Sequence, residues 1–71
     1  MPNGPAFKPG DVIVIKTLPQ THRLYKEYKI IGFEGTFYYL IEDKWGFQDA
    51  EAIRDVDRMF EKKPEEQQKA G

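Results

Sequence analysis

A chain of 71 residues without cysteine has room for one domain with a single small core, and it must hold that core without disulfides or thiolate zinc sites. Its net charge of −1 divides into five Lys/Arg against three Asp/Glu over residues 1–35 and six against nine over 36–71, which denies it the basic field of an electrostatic nucleic-acid binder. No apolar run approaches membrane-spanning length, and Met1-Pro2-Asn3-Gly4-Pro5 has neither the basic nor the apolar region of a secretory signal, so a cytoplasmic protein without a membrane partner is expected.

Residues 1–6 read as a flexible Pro/Gly leader, and the domain runs over 7–60. In Phe7-Lys8-Pro9-Gly10-Asp11, Pro9 fixes φ, Gly10 can carry the backbone through positive φ and Asp11 can hydrogen-bond the turn, so a strand starts at a defined place. That first strand runs from Val12 to Lys16, with Ile13 and Ile15 on one face and Val12 and Val14 on the other. Apolar residues on both faces predict that it is covered twice. The stretch Thr17–Leu24, with a proline and no alternation, reads as the longest loop.

A second strand, Glu27 to Phe33, joins a third, Thr36 to Glu42, through a short hairpin in which Gly35 suits the left-handed position. Gly32 inside the second strand predicts a bulge or a close backbone approach. Asp43-Lys44 turns into a short fourth strand around Trp45-Gly46-Phe47. Beyond Asp49 the period changes: Asp49 as N-cap, Glu51 in the first turn, and Ile53, Val56 and Phe60 at i, i+3, i+7 favour a helix over about Ala50–Lys62. The competing reading is a single turn at Ala50–Ala52 followed by a closing strand through Ile53–Val56. Residues 61–71 read as a disordered charged tail, since nothing large and apolar follows Pro64. The predicted interior is Ile13, Ile15, Ile30, Tyr39, Ile41 and Phe47.

The Pro-Gly-Asp opening into a β-branched strand, then Tyr28-Lys29-Ile30-Ile31, Tyr38-Tyr39-Leu40-Ile41, and Gly46-Phe47 followed by Ala50-Glu51, resembles the small SH3-like barrels common in bacterial and phage proteins. KOW-type barrels have similar openings. The resemblance covers residues 7–53 and implies a mainly β fold: an SH3-like five-strand barrel whose longest loop follows the first strand, with a short C-terminal helical segment or turn. The Ala-Leu-Tyr-Asp-Tyr motif that builds the proline-peptide groove of eukaryotic SH3 domains is absent, which argues against polyproline recognition. A phage or prophage protein engaging a host protein is a role that the resemblance permits.

Catalytic material is sparse. His22 stands alone and lacks the further ligands a metal site needs, so a solvated loop histidine is the better reading. Glu42, Asp43, Asp49, Glu51, Asp55 and Asp57 lack the order of a calcium loop and read as solvated acidic surface. There is no serine, Thr17, Thr21 and Thr36 have only His22 as a candidate base, and Gly32-Phe33-Glu34-Gly35 lacks the lysine and helix of a phosphate loop. The expectation is no enzyme, no catalytic residue, no metal and no cofactor.

Aromatic residues are abundant instead: Tyr25, Tyr28, Phe33, Phe37, Tyr38, Tyr39, Trp45 and Phe47 exceed what one small interior needs. Alternation puts Phe37, Tyr39 and Ile41 on one face of the third strand and Tyr38 and Leu40 on the other, so one set is exposed or lies under another segment. The C-terminal segment, through Ile53, Val56, Met59 and Phe60, is the expected cover. The functional expectation is a non-catalytic protein-binding module with Arg23, Tyr25, Lys26, Tyr38 and Trp45 as binding residues, the tyrosines and tryptophan being the types enriched at interface hot spots. The alternative is single-stranded nucleic acid, its bases stacked on aromatics and its phosphates neutralised by Lys16, Arg23, Lys26 and Lys29.

Overall fold

The computed structural model describes residues 4–64. Its first fixed point is the turn Lys8-Pro9-Gly10-Asp11, closed by the Asp11 amide donating to the Lys8 carbonyl at 3.0 Å, with Gly10 at φ 98°. Proline followed by a left-handed glycine is the chemistry of a type II turn. The Asp11 carboxylate, buried, accepts from the Lys8 amide at 3.0 Å and lies 3.3 Å from the Lys8 ammonium and 3.8 Å from that of Lys62. Burial alone would raise its pKa, but the Lys8 amide and the two ammonium groups outweigh that and hold it below the ordinary carboxylate value.

From that turn β1 (Val12–Ile15) runs antiparallel to β2 (Glu27–Glu34), which pairs with β3 (Tyr38–Glu42), and β3 with β4 (Gln48–Ala52). A helix, α1 (Ile53–Met59), then leads into β5 (Phe60–Lys62), which returns to pair with β1. The fold is mainly β, one open five-stranded antiparallel sheet in the order β4-β3-β2-β1-β5. α1 joins the two edge strands and sets Val56 into the core.

The predicted β2–β3 hairpin is present, with Gly35 at φ 63°. Ile30 pairs with Ile41 and Gly32 with Leu40, which leaves Ile31 as the extra residue of the bulge that Gly32 signalled. The core cluster is Phe7, Ile13, Ile30, Tyr39, Ile41 and Val56, with Tyr28, Ile53 and Phe60 packed against it. Ile15 is also buried. The double cover predicted for β1 is real: on the face opposite Ile13, Val14 is buried, and Leu18, Pro19, Tyr25 and Pro64 line the depression above it.

Four expectations are corrected. The fourth strand lies at 48–52 rather than around Trp45-Gly46-Phe47, because the Asp43 side chain takes the amides of Trp45 and Phe47 and holds those residues in a turn. Phe47 accordingly leaves the predicted interior and is 74% exposed. The helix spans seven residues and not Ala50–Lys62, since β3 draws residues 48–52 into the sheet and the Asp49 carboxylate bonds the amide of Ala50 within the strand instead of capping a helix. The closing strand of the competing reading exists, but at 60–62 rather than 53–56.

The expected disordered tail from 61 is displaced too. Glu61 and Lys62 pair with Val14 and Ile13, and the Lys63 amide donates to the Val12 carbonyl at 2.8 Å. The leader is tied in at its end, where the Ala6 amide donates to Asp57 Oδ2 at 3.2 Å. Expectations for residues 1–3 and 65–71 lie outside the described residues.

Candidate functional site

In an up-and-down sheet the first and third connections leave from one end and the second from the other. The long β1–β2 connection, residues 16–26, therefore meets the β3–β4 turn. The former is built from two local turns, the His22 amide donating to the Pro19 carbonyl at 2.9 Å and the Tyr25 amide to the His22 carbonyl at 3.0 Å. It closes where the Ile15 amide donates to the Lys26 carbonyl at 3.0 Å. The β3–β4 turn is set by Asp43, whose Oδ1 accepts from Trp45 and Phe47, both at 2.9 Å, with Gly46 at φ 91°. Trp45 stands on that turn 74% exposed.

Between the two lies a groove of about 450 Å³ lined by Arg23, Tyr25, Lys26, Tyr28, Lys44 and Trp45, with Gln20, His22, Glu27 and Asp43. Of the five residues singled out from the sequence, four meet here. Tyr38 does not. It opens β3 at the opposite end of the sheet, 48% exposed, beside a still more exposed Phe37. The C-terminal segment covers the other face of β3, the one carrying Tyr39 and Ile41, so the Tyr38 face is left outward.

The groove's charges are unequal in their engagement. Glu27 pairs with Lys63 at 3.2 Å, and the Asp43 carboxylate is occupied by the turn amides. Arg23 and Lys26 are exposed and carry no ion pair among the described residues. The Lys44 ammonium sits 5.4 Å from the centroid of the Trp45 ring. Burial, with Glu27 and Glu61 adding to it against Lys63, pushes the Tyr25 phenol up. Burial also raises Tyr28, helped by Glu51, Asp43 and Asp49. Both phenols are therefore neutral over the physiological range.

A second depression of about 360 Å³ opens between the sheet and α1, walled by Ile13, Ile15, Tyr28, Val56, Met59 and Phe60 and rimmed by Glu51, Asp55 and Arg58. Lys26 and Tyr28 line both depressions, which makes them neighbours across one shared wall. Lys44, Tyr28 and Met59 were not singled out from sequence. Lys44-Trp45 beside the turn-forming Asp43 was the available signal for the first, while the other two depend on where β5 and α1 fall.

His22 Nδ1 accepts the Leu24 amide at 3.0 Å. Among the described residues no three carboxylates or imidazoles are gathered to hold a metal ion, and no buried side-chain polar atom lacks a partner. The groove combines an exposed tryptophan, two neutral phenols and, in Arg23 and Lys26, two cations without an ion pair among the described residues. No family model, no curated protein and no solved structure matches the chain.

Proposed function

We propose that this chain is a non-catalytic protein-binding module on an SH3-like barrel, with the groove between residues 16–26 and the 43–47 turn as its binding site. The observation that carries the reading is Trp45: a large, exposed aromatic on a turn whose backbone is fixed by Asp43, next to two cations without ion pairs. A rigidly presented aromatic loses little entropy on binding and contributes disproportionately at an interface centre. The SH3-like reading draws support from β1 lying between β2 and β5, from the long first connection and from a short helix before the closing strand. A cytoplasmic partner belongs to the same proposal; no helix among the described residues is long and apolar enough to cross a membrane.

The test compares immobilised wild type, Trp45→Ala and Tyr38→Ala in nuclease-treated extract. A protein retained by wild type and by Tyr38→Ala but lost from Trp45→Ala is the expected result. Equal loss from both variants would place the interface elsewhere.

The second reading is single-stranded nucleic acid, favoured by Tyr25, Tyr28 and Trp45 standing beside Arg23, Lys26 and Lys44. Three phosphate contacts at about −0.7 each give a log–log salt slope of about −2. Trp45, the only tryptophan, reports such binding directly by fluorescence. No response to mixed-sequence single strands at low salt removes this reading, and tight salt-sensitive binding replaces the first with it.

A further inference from the structure

We infer that the segment recognised by this protein is an acidic peptide carrying a bulky apolar side chain, its carboxylates over Arg23, Lys26 and Lys44 and its apolar side chain in the depression between the sheet and α1. The inference rests on the proposed protein-binding role and names the chemistry of the partner.

Three observations support it. The groove's own acids are engaged, Glu27 with Lys63 and Asp43 with the turn amides, whereas Arg23 and Lys26 have no ion pair among the described residues. An acidic ligand therefore meets two cations without ion pairs, whereas a basic one meets a Glu27 already paired with Lys63 and an Asp43 whose Oδ1 already accepts two turn amides. Next, the basic groove shares Lys26 and Tyr28 with an apolar depression walled by Ile13, Ile15, Val56, Met59 and Phe60. One short segment can thus engage charge and apolar surface together.

Third, the rim of that depression carries Glu51 and Asp55, with Arg58 held 3.5 Å from Asp55. A phosphodiester backbone continuing from the groove would run into those carboxylates, while a peptide that turns from acidic to apolar at Lys26 would not. This selects an acidic peptide over a nucleic acid.

The experiment is an amide-shift titration of the ¹⁵N-labelled chain, with the Trp45 indole included, against short blocked peptides sharing one leucine and flanked by Glu, Gln or Lys. A fourth peptide replaces the leucine of the Glu series by Asn, and a mixed-sequence single-stranded oligonucleotide is run in parallel. The Glu peptide is expected to bind at least about tenfold tighter than the Lys peptide, equivalent to about 1.4 kcal/mol over the three cations. Its shifts should fall on residues 20–28, 44, 45, 56 and 59. Arg23→Gln with Lys26→Gln, both exposed positions, should erase that preference, and the Asn peptide should leave residues 56 and 59 unshifted.

Equal binding of the Glu, Gln and Lys peptides at this groove overturns the inference and leaves the protein-binding reading standing. Shifts from the oligonucleotide at lower concentration than from any peptide overturn both. Shifts confined to residues 33–40 move the interface to the other end of the sheet and likewise overturn both, as does the absence of shifts from every probe.

Discussion

Tyr39 does more in this fold than fill volume. Fully buried on β3, it donates its hydroxyl to Asp57 Oδ1 at 2.6 Å and accepts from the Phe7 amide at 3.1 Å, while Asp57 Oδ2 takes the Ala6 amide. One phenol thereby ties the chain's beginning, β3 and α1. Tyr39→Phe leaves one carboxylate oxygen of Asp57 and the Phe7 amide without their partner and should cost about 1–3 kcal/mol in urea unfolding. An unchanged midpoint would show that the network carries no net stability. Burial first, then the Asp57 hydrogen bond, raises the Tyr39 pKa well above its ordinary value. A group whose folded pKa is raised contributes fully below its unfolded pKa, about 10 for tyrosine, and that contribution is lost as pH climbs beyond it. Stability above about pH 10 should therefore fall more steeply in wild type than in Tyr39→Phe. Ile30, also fully buried and facing Ile41 across the β2–β3 pair, carries the plainer prediction. Ile30→Ala should cost about 2–5 kcal/mol. A core this small rarely supplies more than about 3–5 kcal/mol, so thermal melting should find the variant largely unfolded; equal stability would mean that the packing around β2 is wrongly described.

The elements legible in the sequence were those whose residues carry their own instruction. The Pro9-Gly10-Asp11 turn, the β-branched run of β1 and the aromatic hairpin of β2 and β3 each state a conformation locally. Gln48–Ala52 does not: a strand of Gln, Asp, Ala, Glu and Ala has no β-branched or aromatic residue, and it is a strand because Asp43 and Gly46 fold it back onto β3. Alternation failed at Phe47 for the same reason, since a turn residue obeys no strand period. The i, i+3, i+7 pattern of Ile53, Val56 and Phe60 was correctly apolar-inward, yet it crosses from α1 into β5 and so overstated the helix. Gly46 tests this account at the scale of the turn. At φ 91° with open space where a side chain would go, Gly46→Ala meets no clash and pays only for the left-handed backbone. The expected loss is about 1–2 kcal/mol by thermal melting, with Trp45 displaced and its fluorescence altered. A variant of unchanged stability and emission would show that the turn tolerates another conformation.

Across the whole molecule the sheet sorts the exposed aromatics into two ends. Trp45 joins Arg23, Tyr25 and Lys26 at one end, whereas Tyr38 and Phe37 stand at the other. The candidate residues were legible as types, aromatic and cationic, but their grouping was not, because which loops share an end follows from strand order. The distinction separates two consequences of mutation. Trp45→Ala, at an exposed position, should leave the melting temperature unchanged and cost about 2 kcal/mol or more in partner binding. Tyr38→Ala should leave binding unaffected. The most direct test is amide hydrogen exchange of the chain with and without the protein it retains from extract. Slowed exchange concentrated in residues 20–28 and 43–47 is the predicted result; protection confined to residues 33–40 would contradict the assignment of the groove.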